Sequence, residues 1–466
     1  MRVPYGKRIA SISLSVLLFV SILVIISNPS YANAEVQTRN TTSSSAPEVG
    51  AASGSNRFLV WEDSTPGNWE IFFRRSTDNG ATWKPTVNLS NNPGPSQVPL
   101  IAVSGSHVYV VWRQANTEGL LPNIFFIHSA DNGATWGPKI KISSSGSVQI
   151  PSYDLAALGG NVYVIWQDSS GTLFRRSTDN GATWKQAIPL CACGGSDHQL
   201  AVSGVNVYGT WKVGTDILVI RSTDSGASWK PLKYLTNNDG FGQVGAPSIA
   251  VSGSNAYVVW HDRIQGNYEI FIRRSTDNGA TWKPLVNLSN NPEWSAFPQI
   301  AASGFNVYVV WADEIVQIPK AHFSEADIFL RRSTDGGVTW KPRVELVDNQ
   351  PPSLNPHIAV SSSNVYVVWE QRSDSTDSAL HDVFFRRSAD NGATWKPLKN
   401  LSSDGKSIDP QIFASGSSVY GVWIAEATPS NYDVFLRRSI DNGATWESAK
   451  NLSDNAGGSS RPSLGV

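Results

Sequence analysis

The sequence predicts an all-β protein, a single β-propeller of eight blades with four antiparallel strands each, and three observations carry that prediction. An octapeptide, Ser-x-Asp-x-Gly-x-Thr/Ser-Trp, occurs eight times, at 76–83, 129–136, 177–184, 222–229, 275–282, 333–340, 388–395 and 439–446. Its aspartates, Asp78, Asp131, Asp179, Asp224, Asp277, Asp335, Asp390 and Asp441, lie 45 to 58 residues apart, a spacing that marks one supersecondary unit per copy. A second tryptophan ends an apolar run in every unit: Trp61, Trp112, Trp166, Trp211, Trp260, Trp311, Trp369 and Trp423. Finally, β-branched and aromatic runs are cut at short intervals by Gly, Pro, Asn and Ser, the pattern of short strands and tight turns. A seven-bladed ring with one irregular unit is the alternative.

In chain order, residues 1–34 read as a signal peptide. Arg2, Lys7 and Arg8 make a basic start, 9–26 is almost wholly apolar, and Ala32-Asn33-Ala34 offers small residues for cleavage before Glu35. The apolar run is also long enough to remain as an uncleaved anchor. Residues 35–46 are polar and Ser/Thr-rich, a flexible leader, and 47–466 form the propeller.

One unit shows the four strands. Residues 298–303 make the first, 307–311 the second, 327–332 the third, and the stretch from Trp340 to Leu346 the fourth. The second strand is apolar on both faces and needs cover on both sides, as stacked sheets around a ring provide. The tryptophans of the repeat, 16 of the 18 in the chain, are therefore core residues. Asp-Asn-Gly in the octapeptide is turn chemistry, with the carboxylate accepting backbone N–H bonds and Gly free to take positive φ. Eight equivalent copies cannot be one active site, so their aspartates are structural. The Arg-Arg pairs at 74–75, 175–176, 273–274, 331–332, 386–387 and 437–438 share one strand position and predict hydrogen bonding between blades. The last six residues echo a first strand (Arg461-Pro462-Ser463 against Pro247-Ser248), predicting that the C-terminus closes the ring near 47–53.

A formal net charge of −1 gives no reason to expect nucleic acid or an acidic membrane as partner. No cofactor is expected, and the protein is expected to be a monomer. Cys191 and Cys193, with His198, could hold a soft metal, or the two thiols could form a small-ring disulfide. The Asn-Leu-Ser sequons at Asn88, Asn287, Asn400 and Asn451 are repeat features at which glycosylation is permitted.

The octapeptide resembles the Asp box of the sialidase, or BNR-repeat, propellers, and the resemblance runs over about 47–466. It implies that these boxes join third and fourth strands on the side away from the ligand. It also implies a ligand face built from loops joining second to third strands and fourth to next first strands. The residues after each second-strand tryptophan then converge at one mouth: Glu62-Asp63, Arg113-Gln114, Gln167-Asp168, Lys212-Val213, His261-Asp262-Arg263, Ala312-Asp313-Glu314, Glu370-Gln371-Arg372 and Ile424-Ala425-Glu426. That inventory suits an acidic sugar. Sialidases are similar to one another in a three-arginine clamp, which Arg113, Arg263 and Arg372 could imitate. Asp63, Asp262, Glu314 and Glu370, with Glu62, are the candidate carboxylates for glycoside cleavage. His261 is a candidate ligand, and Trp294, in a loop outside the repeat's core, is the candidate sugar-stacking residue. The Phe/Tyr-Arg-Ile-Pro motif of sialidases is absent; the nearest string, Asp262-Arg263-Ile264-Gln265, lacks the proline. The expectation is a secreted or cell-surface propeller that binds glycan or an extracellular protein through Arg113, His261, Arg263, Trp294, Glu370 and Arg372. The alternative is an exo-acting glycosidase that releases terminal sialic acid.

Overall fold

The computed structural model describes residues 54–465, apart from 116–121, 144–152, 237–242, 265, 316–325, 348–350 and 373–379. The signal segment, the leader and 47–53 lie outside the described residues. So does the apolar run 9–26, and among the described residues no helix is long and apolar enough to cross a membrane. The described chain is all strand and turn, in eight four-stranded antiparallel sheets. There are eight blades, not seven.

Blade 1 takes its first strand from the far end of the chain. Ser459–Gly465 pairs with Arg57–Asp63, which continues to Glu70–Ser76 and Val87–Asn88. The following blades occupy 96–141, 153–191, 196–234, 248–287, 294–345, 353–400 and 407–451 in sequence order. The C-terminal strand thus closes the ring, as its echo of a first strand predicts, and removes two open sheet edges.

Each second strand is buried along nearly its whole length, and its tryptophan is at most 1% exposed. Fourth strands are shorter than the sequence pattern implies. In blade 6 the fourth strand is Val344–Glu345, beginning four residues after Trp340. Lys341 N–H still reaches the Arg332 carbonyl (2.9 Å), but Pro342 has no N–H to give the ladder.

The octapeptide forms a closed hydrogen-bonded turn. In blade 1, Asp78 Oδ1 accepts from Ser76 Oγ (2.7 Å) and Thr82 N–H (2.8 Å), and Oδ2 accepts from Thr82 Oγ1 (2.5 Å). Ser76 Oγ in turn accepts from Gly80 N–H (2.8 Å). Such donors hold the aspartate pKa values low, Asp131 and Asp179 to about 2. Each aspartate is engaged inside its own turn.

The same turn also joins neighbouring blades. Tyr420 of blade 8 donates its hydroxyl to Asn79 Oδ1 of blade 1 (2.7 Å), and Tyr109 of blade 2 does so to Asn180 of blade 3 (3.2 Å). The arginine pairs divide the work. The second member reaches forward to the next blade's turn, as Arg176 Nη1 to the Ser225 carbonyl (2.8 Å) and Arg438 Nη1 to the Asn79 carbonyl (2.9 Å). The first reaches back to the previous blade's fourth strand, as Arg175, Arg331 and Arg386 to the carbonyls of Ile142, Leu288 and Leu346, each at 2.9 Å. The predicted bonding between blades is what these arginines do. Four of the half-buried octapeptide tryptophans, Trp136, Trp184, Trp229 and Trp446, meet a phenylalanine of the preceding blade edge-on, as Trp184 with Phe126 at 4.9 Å.

The Asn-Leu-Ser sequons also have a structural job. Ser90, Ser289, Ser402 and Ser453 accept the N–H groups of Ile71, Ile270, Val383 and Val434 at 2.8–2.9 Å, stopping the fourth strand. They donate to the carboxylates of Glu70, Glu269, Asp382 and Asp433. Asn400 and Asn451 spend their amide N–H on Asp382 (2.9 Å) and Asp433 (2.7 Å). Glycosylation at that nitrogen would leave it a single N–H for those bonds.

Gly181 in the octapeptide of blade 3 has φ +83°, and a Cβ there would sit 2.5 Å from Phe126 Cζ. Gly105, at φ +61°, has open space around it. Alanine at 105 incurs backbone strain alone, about 1 kcal/mol. Alanine at 181 adds overpacking between blades, about 1–3 kcal/mol more. Equal shifts of the chemical denaturation midpoint for the two variants would contradict this interblade contact.

Candidate functional site

First-to-second turns and octapeptides share one end of every blade, tied by bonds such as Asn180 N–H to the Gly160 carbonyl (2.9 Å). The second-to-third and fourth-to-first connections therefore share the other end, where the candidate residues lie. Parts of that rim, including 116–121, 316–325 and 373–379, are outside the described residues. Glu314 belongs to the strand Asn306–Ile315, and its side chain lies outside them too.

A recurrent bulge shapes the inner part of this end. Val98, Asp197, Phe297, Asn355, Asp409 and Arg461 all have φ between +51° and +60°, beside register shifts in their first strands. All but Asp197 precede a proline. An extra residue in a strand bends it and re-aims a side chain. Here the bulges meet the residues that follow the second-strand tryptophans. Asn355 donates to Glu370, Arg461 Nη1 pairs with Glu62 (3.2 Å), and Phe297 lies against His261 with ring centroids 6.0 Å apart.

The candidate carboxylates are consequently pins between strands. Asp63, fully buried, accepts from Trp61 Nε1 (3.1 Å), Thr65 N–H (2.8 Å), Thr65 Oγ1 (2.6 Å), Ser459 Oγ (2.8 Å) and Asn455 Nδ2. Its lone pairs are taken up in holding the closing strand. Glu62 accepts Val98 N–H of blade 2 (2.7 Å) and Ser460 Oγ (2.8 Å). Glu370 accepts Asp409 N–H of blade 8 (3.2 Å) as well as Asn355. Burial, with the Asp409 charge adding, pushes its pKa up to about 7. Asp262 is fully buried in the middle of a ladder, opposite Glu269. Asp63, Asp262 and Glu370 belong to blades 1, 5 and 7, and each is buried.

Arg113, Arg263 and Arg372 stand on blades 2, 5 and 7. Arg113 Nη2 donates to Gln97 Oε1 (3.3 Å), Arg263 Nε to the Gly266 carbonyl (3.2 Å), and Arg372 lies opposite His381. The charged neighbours of Arg113 are Glu62 and Arg461, the latter a residue that the sequence reading treats as closing strand alone. The X-Pro step in the first strands is the signal that could have pointed to Arg461.

The sequence reading comes closest on blades 5 and 6. Trp294 is not a loop residue; it opens the strand Trp294–Ser303 opposite Ile315. It is half-buried, edge-on to Tyr268 at 5.2 Å. Tyr268 is edge-on to His261 at 5.5 Å, and His261 to Phe297. Four rings thus run from the rim toward the bulge, with exposed Arg263 opposite Tyr268 in the ladder. Tyr268 Oη is oriented by Gln243 Oε1 (2.5 Å). The His261 ring packs on Gly245, where a Cβ would come within 1.9 Å of it. Burial, helped by the charge of Lys212, pushes its pKa down to about 4, so the ring is neutral at physiological pH. Its Nδ1 has no partner among the described residues.

The soft-metal option is corrected as well. Cys191 and Cys193 form a disulfide, the other option their spacing offers, and so present no thiolates. His198 is buried, 2.9 Å from Thr172 Oγ1 and stacked on Trp211, and burial pushes its pKa down to about 3. Among the described residues no group of three His, Cys, Asp or Glu could hold a metal ion.

Comparisons with known proteins agree with the fold and bear on the site. Residues 250–465 match the BNR repeat-like domain family. Xyloglucanase Xgh74A of Acetivibrio thermocellus is 26% identical over 188 residues, which is 37% of this chain and 22% of that protein, so the match spans about a fifth of its length. A polysaccharide lyase, the PL25 ulvan lyase bound to -[GlcA(1-4)Rha3S]-, superposes with a TM-score of 0.50 at 10% identity, over 77% of this chain and 96% of that one. The polysaccharide lyase Uly1 gives 0.51 at 8% identity, over 74% and 89%. These superpositions show the fold.

Glu370 gives a pH prediction with a definite sign. Its folded pKa, about 7, exceeds the ordinary 4.5, so its stabilising effect is complete below about 4.5 and is lost as pH rises through 7. Glu370→Gln should therefore gain stability relative to wild type between pH 5 and pH 8, by up to about 3 kcal/mol at roughly 1.4 kcal/mol per pKa unit. Urea denaturation at the two pH values measures it; a pH-independent difference would mean the carboxyl titrates normally.

Proposed function

We propose that this BNR-repeat β-propeller is a secreted or cell-surface glycan-binding protein whose saccharide lies across blades 5 and 6. The observation that carries the reading is the run Trp294–Tyr268–His261–Phe297. The C–H faces of a pyranose pack on aromatic rings, and the exposed Arg263 beside them supplies N–H donors for its hydroxyls. Basic residues, an apolar run and small residues at the N-terminus support export. The xyloglucanase and ulvan lyase named above act on polysaccharides, which supports the ligand class by analogy.

Binding is better supported than hydrolysis. A glycosidase needs two carboxyl groups facing one bond, about 5–9.5 Å apart. Among the candidates here, Asp63, Glu62 and Glu370 are occupied by backbone and hydroxyl donors.

The test is a glycan array followed by titration of the strongest binder. Trp294→Ala should weaken binding roughly tenfold, the loss of a favourable ring contact with its buried area, at unchanged thermal stability. A fluorogenic sialoside should give no turnover. Turnover abolished by Arg263→Ala or Arg372→Ala would replace the binding reading with an enzymatic one.

A further inference from the structure

The closing strand brings a second charged group to the ligand-bearing end, where blades 1, 2 and 3 meet. Arg461 lies at its bulge, at φ +53°, a conformation that strains an arginine backbone. Its guanidinium pairs with Glu62, whose side chain is 3% exposed, while that of Arg461 stays 33% exposed. Glu62 already accepts Val98 N–H and Ser460 Oγ, so one buried carboxylate serves three donors. Arg113, half-buried beside it, has the neutral Gln97 Oε1 as its partner among the described residues. Tyr153 of blade 3 closes the floor by donating to the Val98 carbonyl. Two guanidiniums thus share one carboxylate, leaving an excess positive charge in a partly desolvated corner. Burial and the Arg461 charge lower the Arg113 pKa, against Tyr153 and the Glu62 carboxylate, which raise it, and a bound anion would add to the raising side.

We propose that Arg113 and Arg461 form an oxyanion-binding site at the ring-closing seam, taking the carboxylate or sulfate group of an acidic saccharide. The saccharide part of this statement rests on the glycan-binding reading; the anion part does not. Planar guanidiniums suit both anions because each offers paired N–H donors to two oxygens. A ligand held by both arginines would tie the C-terminal strand of blade 1 to the second strand of blade 2. Binding would then stabilise the closed ring, since a ligand bound to the folded state alone raises its stability.

The experiment titrates the full chain with a glucuronate-containing hexasaccharide and its carboxyl-reduced counterpart, and follows thermal unfolding with sodium sulfate against sodium chloride at equal ionic strength. The acidic sugar should bind at least tenfold tighter than the reduced one. Sulfate should raise the unfolding temperature beyond the chloride control. Arg113→Gln should abolish both differences while leaving affinity for the reduced sugar unchanged. Arg461→Gln should do the same with a lower starting stability, because it also loses Glu62; Arg113→Gln carries the test if that variant does not fold. Equal affinity for the two sugars, with no sulfate-specific shift, overturns the anion site and leaves the glycan reading intact. A sulfate-specific shift lost in Arg113→Gln, without binding of either sugar, keeps the anion site and overturns the saccharide.

Discussion

The contact on which the whole ring depends is the one each octapeptide makes with the blade before it. A single short turn supplies a left-handed Asn-Gly corner, an amide for the neighbour's tyrosine, a carbonyl for its arginine and an indole edge for its phenylalanine. Each bond is modest, about 1 kcal/mol net. Repetition around a closed ring makes them cooperative: no blade can tilt without breaking ties on both sides. The first and last blades lack a covalent connection, and the same ties operate there, with Tyr420, Arg438 and Lys450 reaching Asn79 and Ala81. The closing strand adds ladder bonds and the Asp63–Ser459 pin.

That dependence explains why the fold was legible in the sequence. A turn that must satisfy its own carboxylate and three neighbouring groups tolerates few residues, so it recurs nearly unchanged. The arginine pairs were readable for the same reason, since one geometry recurs. The fourth strand was misjudged because the Trp-Lys-Pro-Arg step looks continuous in hydropathy, while the proline breaks the ladder. The bulges escaped notice because residues as different as Val98, Phe297, Asp409 and Arg461 occupy them. Their common signal, the following proline, reads as an ordinary strand start.

The site was less legible, for a physical reason. Positions after the second-strand tryptophan vary among the repeats. Much of that variation is different chemistry for one structural task. Glu62 and Glu370 accept the backbone N–H of the next blade's bulge, Gln167 accepts Gly195 N–H, and His261 fills the space beside a glycine. A ring whose blades differ slightly in loop length needs a different pin at each seam. Divergence then reports packing as well as ligand. What sequence alone cannot supply is which polar groups are left over after the seams are satisfied.

That remainder separates binding from catalysis here. Asp63, Asp262 and Glu370 stay in their ladders and are buried, and Asp63 and Glu370 accept donors from neighbouring strands. The residues with exposed surface at this end include rings edge-on to one another and the guanidiniums of Arg113, Arg263 and Arg461, together with the exposed carboxylate of Asp409. A propeller that commits buried acids to its seams leaves aromatic and basic side chains with exposed surface at this end.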